Sequence, residues 1–162
     1  MAKAAAGRGA EETAPASVSD ETLRGFAGYN MKRAFNVIQA DLARTLEPFG
    51  LRMITFTALI LVADNPGLSQ TQLAGALAVE RSNLVSIVDD LEKSGLVVRN
   101  PALNDRRSHA LCATLAGKRL CEKAVHAVRA HEARLLACLD ARERAALVAA
   151  LQQIEESAAG GA

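Results

Sequence analysis

The sequence predicts a mainly α-helical protein with one small β-hairpin. Half of the 162 residues are hydrophobic, mostly Ala, Leu and Val, which is typical of α-rich globular proteins. Apolar residues recur at helical spacing over most of the chain. Two short β-type runs, LVVRN and SHALCAT, flank the tetrapeptide NDRR at 104–107 and should pair with each other.

The first part of the chain is predicted to form a tail and two helices. Residues 1–19 are small and polar without an apolar period, so we expect a disordered tail. A long helix is predicted over 20–50, beginning at the capping residue Asp20 and ending at EPFG, with an apolar stripe wider than one neighbouring helix requires. A second helix, 51–63, is apolar nearly all round and should be central.

Two shorter helices and the hairpin follow. Ser69 caps the first short helix, with Gln72 at the capping-box position, and a tight junction at Ala78 leads to the second, about 81–94. The second helix has an aliphatic stripe on one side, and Gly95 follows its end.

The chain is predicted to end in two more helices. Thr114 caps a long helix, about 115–138, and Asp140 with Glu143 forms the capping box of the last one. The predicted segments are therefore a tail (1–19), a long helix (20–50), a compact middle (51–114) and two C-terminal helices (115–158).

This order of elements is that of a winged helix-turn-helix DNA-binding domain, assigned to 51–114. In such a domain the outer N-terminal face of the second short helix enters the major groove. The side chains on that face donate or accept hydrogen bonds, although a plain amphipathic helix would show the same division. On the two short helices we assign DNA contacts to Ser69, Gln70, Arg81, Ser82, Asn83 and Ser86.

The hairpin favours DNA binding further. An Asn-Asp pair is typical of turns, and the turn of a wing lies over the minor groove, which attracts arginine. We expect Asp105 to orient a guanidinium, Arg107 to enter the groove, and Arg106 and His109 to contact phosphates. Exchanged roles of Arg106 and Arg107 are one alternative, and a solvated turn without a DNA contact is the other.

The sequence resembles the multiple antibiotic resistance regulator (MarR) family of bacterial transcription factors over about 20–154. The segments LSQTQLAGAL, VERSNLVSIVDDLEKSGLVVRNP, NDRRSHALCATLAGKRL and LDARERAALVAALQQIE carry the resemblance. Its most specific part is the Asp-Arg-Arg wing followed by a Thr-capped helix with Gly117 at its third position. Two residues depart from the family pattern, since Glu80 replaces the usual Ser or Asp cap and Ala78 replaces a turn glycine. Both departures bear on the pose of Arg81.

The resemblance implies an obligate homodimer, built from the first and the last two helices, that binds a palindromic operator in double-stranded DNA. It also implies repression that a small ligand relieves. The residues agree, because the apolar strips of 20–50 and 115–158 would form an aggregation-prone surface if exposed. Pairing across a two-fold axis would cover them. An intramolecular bundle, the alternative, would use part of this surface.

For a small-molecule effector, the resemblance implies a site between the dimerisation helices and the DNA-binding lobe. Tyr29, Asn30 and Arg33 lie within one helical turn, where Arg33 can bind a carboxylate or phosphate and Tyr29 can orient an aromatic ring. Met53 and Phe56 can line an apolar wall. Equally, Tyr29 can be half-buried and Arg33 solvated or salt-bridged. GYNMKRAFNVIQADLA is similar to relatives that sense hydroxycinnamoyl-CoA thioesters, which indicates an aromatic acid or acyl-CoA effector.

Composition and motifs argue against other functions. A formal net charge of +1 and 3% aromatic residues disfavour a general polyanion binder and base stacking on single strands. No nucleophile-base pair or carboxylate dyad appears, so we expect neither an enzyme nor a cofactor. A dimeric ligand- or protein-interaction module without sequence-specific DNA binding is the competing class. It fits the neutral charge but does not explain Arg106 and Arg107.

Histidines, cysteines and hydropathy predict no metal site and no membrane contact. His126 and His131 are five residues apart and do not share a helical face, so we expect surface or packing roles. Cys121 and Cys138 are expected to be small core-like hydrophobes, with pairing between subunits as the alternative. The longest apolar stretch, 53–63, is about half of the roughly 20 residues that a membrane span needs, so we expect a soluble protein. The three cysteines have no CxxC spacing and no signal peptide is seen, so we expect reduced thiols and a cytoplasmic protein.

Overall fold

The structure is a computed structural model that describes residues 18–102 and 105–159, without the side chains of 102, 105–109 and 158–159. Most of the predicted tail, as well as Asn104, lies outside the described residues. The elements are α1 (Glu21–Arg24), α2 (Ala27–Leu46), a 3-10 helix (Glu47–Phe49), α3 (Met53–Asp64), β1 (Leu68–Ser69), α4 (Gln70–Leu77), α5 (Arg81–Lys93), β2 (Val97–Ala102), β3 (Asp105–Ala113), α6 (Leu115–Leu135) and α7 (Ala141–Ala159). They fall into two compact units divided between Phe35 and Asn36.

The first unit contains α1 and the beginning of α2. The uninterrupted helix predicted for 20–50 is wrong, because the helix breaks between Arg24 and Ala27. The side-chain amide of Asn30 donates to the backbone carbonyl oxygens of Arg24, at 2.8 Å, and Phe26, at 2.9 Å. It thereby satisfies the Arg24 carbonyl, which the break leaves without a backbone donor, whereas the Phe26 carbonyl also accepts from the backbone N–H of Asn30 at 3.2 Å. The side chain of Asp20 makes no capping hydrogen bond, contrary to the prediction.

The second unit is built around α3, as predicted from its apolar sequence. Ala58, Leu59 and Val62 are buried there, together with Thr55, whose hydroxyl accepts a hydrogen bond from the backbone N–H of Arg52. The buried hydrophobic residues of the chain are Leu46, Leu51, Ala58, Leu59, Val62, Leu73, Leu84, Ile87, Val88, Leu91, Val97, Leu111, Cys121 and Ala124. They form one core cluster, which lies between the end of α2 and the middle of α6.

Among the described residues, no single helix is long and apolar enough to cross a membrane. One bent pair of helices, Ala27–Phe49 with Met53–Asp64, has the length and the composition of a membrane span, and nothing else supports a span there. The second member of that pair is α3, the central core helix.

The two capping boxes that the sequence predicts, at Ser69 and at Asp140, are confirmed. The Ser69 hydroxyl accepts from the Gln72 backbone N–H, and the Gln72 side chain accepts from the Ser69 backbone N–H. Asp140 and Glu143 form the same reciprocal pair at the start of α7. These caps satisfy backbone donors that the first helical turn leaves unpaired.

The sheet has three strands in the order β1-β3-β2, one more than the predicted hairpin. Leu68 pairs with Leu111, and Val97 pairs with Ala113, both in antiparallel register. The additional strand, β1, is two residues long and immediately precedes the cap of α4. It therefore joins the start of the helix-turn-helix to the middle strand of the wing.

Candidate nucleic-acid interface

The turn between α4 and α5 is the tight junction expected at Ala78. Ala78 has φ 50° and ψ 43°, the left-handed conformation that usually favours glycine. The backbone N–H of Val79 donates to the carbonyl of Ala74 at 3.1 Å and closes the turn. The departure from the family's glycine thus keeps the turn, at a backbone cost of roughly 1–2 kcal/mol. Glu80 precedes α5 without a side-chain capping bond, as expected of a poor cap.

Helix α5 has one buried and one exposed side. Leu84, Ile87, Val88 and Leu91 are buried, which confirms the predicted stripe. The predicted DNA-contacting side chains are exposed and lie on the first two turns: Arg81, Ser82, Asn83 and Ser86. One exposed apolar residue on this side, Val85, was predicted neither in the buried stripe nor among the DNA-contacting residues.

A salt-bridge clamp joins α5 to strand β2. The guanidinium of Arg99 donates to the carboxylates of both Asp89 and Glu92. The Arg99 side chain is about one-fifth exposed, so the ion pairs are shielded from solvent more than typical surface pairs. The clamp fixes the base of the wing against α5. The clamp was not predicted from the sequence, although Asp89 and Glu92 lie three residues apart on one side of α5.

The wing strands are irregular where the arginines occur. Pro101 pairs with His109, whereas the next residue, Ala102, pairs with Asp105. The pairing register therefore shifts by three residues, and residues 106–108 of β3 have no counterpart on β2. Asp105 begins the returning strand, so the prediction that 104–107 form the turn is wrong for 105–107. Side chains of Asp105, Arg106, Arg107 and His109 lie outside the described part of the chain.

The wing is attached to α6 through Thr114 and Gly117. The Thr114 hydroxyl donates to the carbonyl oxygen of Gly95 at 2.7 Å and accepts from the N–H of Gly117 at 3.0 Å. A β-carbon on Gly117 would overlap the carbonyl oxygen of Leu96. Glycine is therefore required where α6 passes the loop that ends α5. This contact gives a physical reason for the Thr-x-x-Gly pattern.

Helix α4, the first short helix, mainly supports the packing of the helix-turn-helix. Its first residues offer few hydrogen-bond donors that are free to contact DNA. The Ser69 hydroxyl is engaged with Gln72, accepting from its backbone N–H and donating to its side-chain oxygen. Gln70 is half-buried at the first position of α4. Leu73 is fully buried and packs α4 into the core. The predicted DNA contacts of Ser69 and Gln70 stay predictions.

The polar residues predicted for effector binding lie around Asp20 in the first unit. Tyr29 donates to the Asp20 carboxylate at 2.7 Å, Arg24 pairs with it at 2.9 Å, and Arg33 lies 3.9 Å away. The pKa of Asp20 is lowered, and the Tyr29 hydrogen bond is the largest cause. Burial is second and opposes it, and Arg24 and then Arg33 lower the pKa further. Tyr29 is half-buried, and Asn30 uses its amide to close the helix break. Arg33 is exposed and its charge partly neutralised.

The apolar residues predicted for the effector site lie in the second unit. A cavity of about 660 Å³ is lined by Gln39, Ala43, Arg44, Glu47, Gly50, Leu51, Arg52, Met53 and Ile54. Met53 thus lines a cavity, whereas Phe56 does not line this one and is partly buried against the core. Arg44 and Arg52 also line the cavity, where each is paired with a carboxylate, Asp41 at 2.6 Å and Asp90 at 2.9 Å respectively.

Histidine and cysteine side chains occupy different environments. His131 is buried and its Nδ1 lies 2.7 Å from Asp41, which confirms a packing role, while His126 is exposed. Cys121 is buried, and burial, reinforced by Asp64, raises the pKa of its thiol. Cys138 is exposed beyond the end of α6, so its predicted core-like role is wrong. Within 18–102 and 105–159, no group of three His, Cys, Asp or Glu could hold a metal ion.

Comparisons with known proteins give a consistent result. A model of the MarR family matches residues 49–108. A Thauera aromatica protein assigned as a transcriptional regulatory protein for the hcr operon is 32% identical over 134 residues, 82% of this chain and 81% of that protein. The transcriptional repressor CouR, solved bound to a 23-mer DNA duplex, is 35% identical with a TM-score of 0.82, over 86% of this chain and 99% of that one. CouR from Rhodococcus jostii RHA1, solved bound to p-coumaroyl-CoA, is 29% identical with a TM-score of 0.74, over 82% and 93%.

Proposed function

The chain belongs to the MarR family of transcriptional regulators, and on that premise we propose that it represses transcription as a homodimer on a pseudo-palindromic DNA operator. A small effector releases it from the DNA. Its relatives are regulators rather than enzymes. The operator half-sites lie about one DNA turn apart, roughly 34 Å, to match two recognition helices related by a two-fold axis.

The single observation that carries DNA binding is the division of α5. Its inner side chains are buried, while Arg81, Ser82, Asn83 and Ser86 are exposed without a structural partner among the described residues. These side chains have the size and hydrogen-bonding groups that read base edges in a major groove. The Arg99 clamp supports this role, because it holds the wing in a fixed relation to the helix.

The homodimer is supported by the end helices. In α7 the apolar residues Leu147, Val148, Leu151 and Ile154 are 40–52% exposed in the single chain. In the first unit Leu23, Phe26, Met31 and Phe35 are exposed as well. We assign 20–50 and 115–158 to dimerisation and 51–114 to DNA binding, because a second copy of the chain can cover these apolar surfaces.

For the effector we propose an aromatic acyl-CoA thioester, the class to which the ligand in the CouR structure belongs. The cavity that Met53 lines is large enough for the aromatic part of such a ligand and is flanked by Arg44 and Arg52. Arg33 remains our proposal for an anionic anchor in the first unit. Its distance of 3.9 Å from Asp20 leaves its charge available to a stronger anionic partner.

DNA binding can be tested with fluorescent duplexes tiled across the region upstream of the protein's own gene. We expect one duplex to bind the dimer tightly and the others weakly, with affinity falling steeply as salt rises. Arg106→Ala/Arg107→Ala should lose about 1–3 kcal/mol of binding free energy per half-site and melt like the wild type. Arg129→Ala, an exposed arginine of α6, is the matched control. Equal, weak binding of all duplexes would favour the interaction module without sequence-specific DNA binding.

Effector release can be tested on the same operator by adding p-coumaroyl-CoA, free p-coumarate or acetyl-CoA. We expect the thioester with the aromatic group to release the DNA at the lowest concentration. Arg33→Ala should raise its half-maximal concentration at least about tenfold and leave operator affinity nearly unchanged. Arg24→Ala removes another partner of Asp20 and serves as the control. Equal shifts in both variants would assign the effect to the Asp20 cluster rather than to an anchor.

A further inference from the structure

One apolar side chain interrupts the exposed polar side of α5. Val85 is 42% exposed, whereas the core residues of the same helix are at most 7% exposed. It follows Arg81 and Ser82 by four and three residues and so lies on the same side of the helix as these two side chains, which are predicted to contact base edges. Burying a valine is favourable, so Val85 can add to the binding free energy of a partner that covers this side of the helix.

The side of the helix that carries Val85 also carries the wing clamp. Asp89 and Glu92 follow Val85 by four and seven residues, so all three lie along one side of α5. Arg99 binds the two acidic residues, which fixes the base of the wing beside the C-terminal half of the helix. Val85 lies one turn nearer the N-terminus, in the half of α5 that enters the groove in this fold.

The major groove presents a single apolar group, the C5-methyl group of thymine. Valine has no hydrogen-bonding group, so against the polar edges of the other bases it would strip water without replacing the lost hydrogen bonds. Its side chain also has one strongly preferred rotamer in a helix, which limits the entropy lost on contact. We propose that Val85 is a specificity-determining residue that reads the methyl group of one thymine in each operator half-site. The inference rests on the proposed DNA-binding function.

The test removes the methyl group from the DNA rather than changing the protein. Within the upstream duplex that the wild type binds, each symmetry-related pair of thymines is replaced in turn by deoxyuridine, which keeps base pairing. One pair of replacements should weaken wild-type binding by about fourfold per half-site, the effect of one lost methyl contact. Val85→Ala and Val85→Thr each remove one or both γ-methyl groups of the side chain. Both should bind the unmodified operator less tightly and should distinguish thymine from uracil at that pair less than the wild type does.

The matched control is Val98→Ala, because Val98 is 40% exposed on β2 and is of the same residue type. This variant should keep the wild-type sensitivity to uracil. The inference is overturned if no thymine pair affects wild-type affinity, or if both Val85 variants keep the wild-type sensitivity. Wild-type protein that binds no upstream duplex would overturn the proposed function as well, so the two failures are distinguishable.

Discussion

Helices α5 and α7 have similar apolar stripes, but the stripe of α5 is buried within the single chain and that of α7 is exposed. In α5 the stripe of Leu84, Ile87, Val88 and Leu91 is buried by α3, α4 and the sheet. In α7, none of the side chains described, 141–157, is buried, and its large apolar residues are 40–52% exposed. The same helical periodicity therefore supports folding of the single chain in one region and, on our proposal, association of two chains in the other.

The largest effects are expected when one leucine is truncated in the folding core and one in the exposed stripe of α7. The two substitutions should separate the stability of the single chain from the stability of the dimer. Leu59→Ala removes a fully buried side chain of α3 and should lower the free energy of unfolding by about 2–5 kcal/mol. It should leave the dimer dissociation constant nearly unchanged. Leu151→Ala, where the leucine is 44% exposed, should instead weaken the dimer by about 1 kcal/mol per chain.

Chemical denaturation measures the first quantity and sedimentation equilibrium the second. Comparable effects of the two substitutions on both measurements would contradict the division between a folding core and an association surface. A wild-type monomer at low micromolar concentration would contradict the dimer itself.

A second prediction compares two helical glycines, Gly117 at the start of α6 and Gly75 in α4. Gly117→Ala should destabilise the protein by about 1–3 kcal/mol or more, because the added methyl group would overlap the Leu96 carbonyl at the junction of α5, β2 and α6. Gly75→Ala in α4 meets no atom within 4 Å and should be neutral or stabilising by up to about 1 kcal/mol. Thermal denaturation of both variants checks this contrast, and an equally tolerated Gly117→Ala would show that the junction is loose.

A third prediction concerns the clamp between α5 and the wing. Arg99→Lys keeps the charge but cannot bridge Asp89 and Glu92 in the forked geometry of arginine, so operator affinity should fall while dimerisation is retained. A double-mutant cycle with Asp89→Asn should give a coupling energy of about 0.5–3 kcal/mol in unfolding experiments. Arg129→Lys on α6 is the control for the same substitution at an exposed site. Additive effects of Arg99→Lys and Asp89→Asn would mean that the clamp does not couple the elements.

The predictable parts of this molecule depend on residues close together in sequence. The Ser69–Gln72 cap, the Asp140–Glu143 cap and the buried stripe of α5 follow from spacings of three or four residues, and they are confirmed. The helix break depends on Asn30 reaching back to Arg24, and strand β1 pairs across more than forty residues, so neither has a short-range pattern.

The candidate site follows the same rule. The exposed polar residues of α5 were predicted from one helical period, whereas Arg99 was missed because its partners lie in another element. Val85 was predicted neither in the buried stripe of α5 nor among its DNA-contacting residues, although its position relative to Leu84 places it outside the core. Helical position was the better guide here than hydrophobicity.

The smallest expected effect concerns Asp41, which joins α2 to α6. A hydrogen bond from Arg44, together with His131 at 2.7 Å, lowers the pKa of Asp41 below its ordinary value of 3.8. A carboxylate whose pKa is depressed on folding stabilises the protein above its unfolded pKa, and the contribution is lost as the pH falls through the folded value. Asp41→Asn should therefore be slightly less stable than the wild type at pH 7, and the difference should vanish in acid below 3.8.

The effect should stay small because about one-third of the Asp41 side chain is exposed and salt screens its charge. Arg44 is the largest cause of the lowered pKa, so Arg44→Gln should move the pKa of Asp41 back towards 3.8 and reduce the cost of Asp41→Asn. Arg129→Gln, on an exposed part of α6, should leave both quantities unchanged. Carboxyl NMR titration measures the pKa, and urea denaturation at several pH values measures the stability. A folded-state pKa at or above 3.8 in the wild type would show that the Arg44 and His131 contacts do not favour the charged carboxylate.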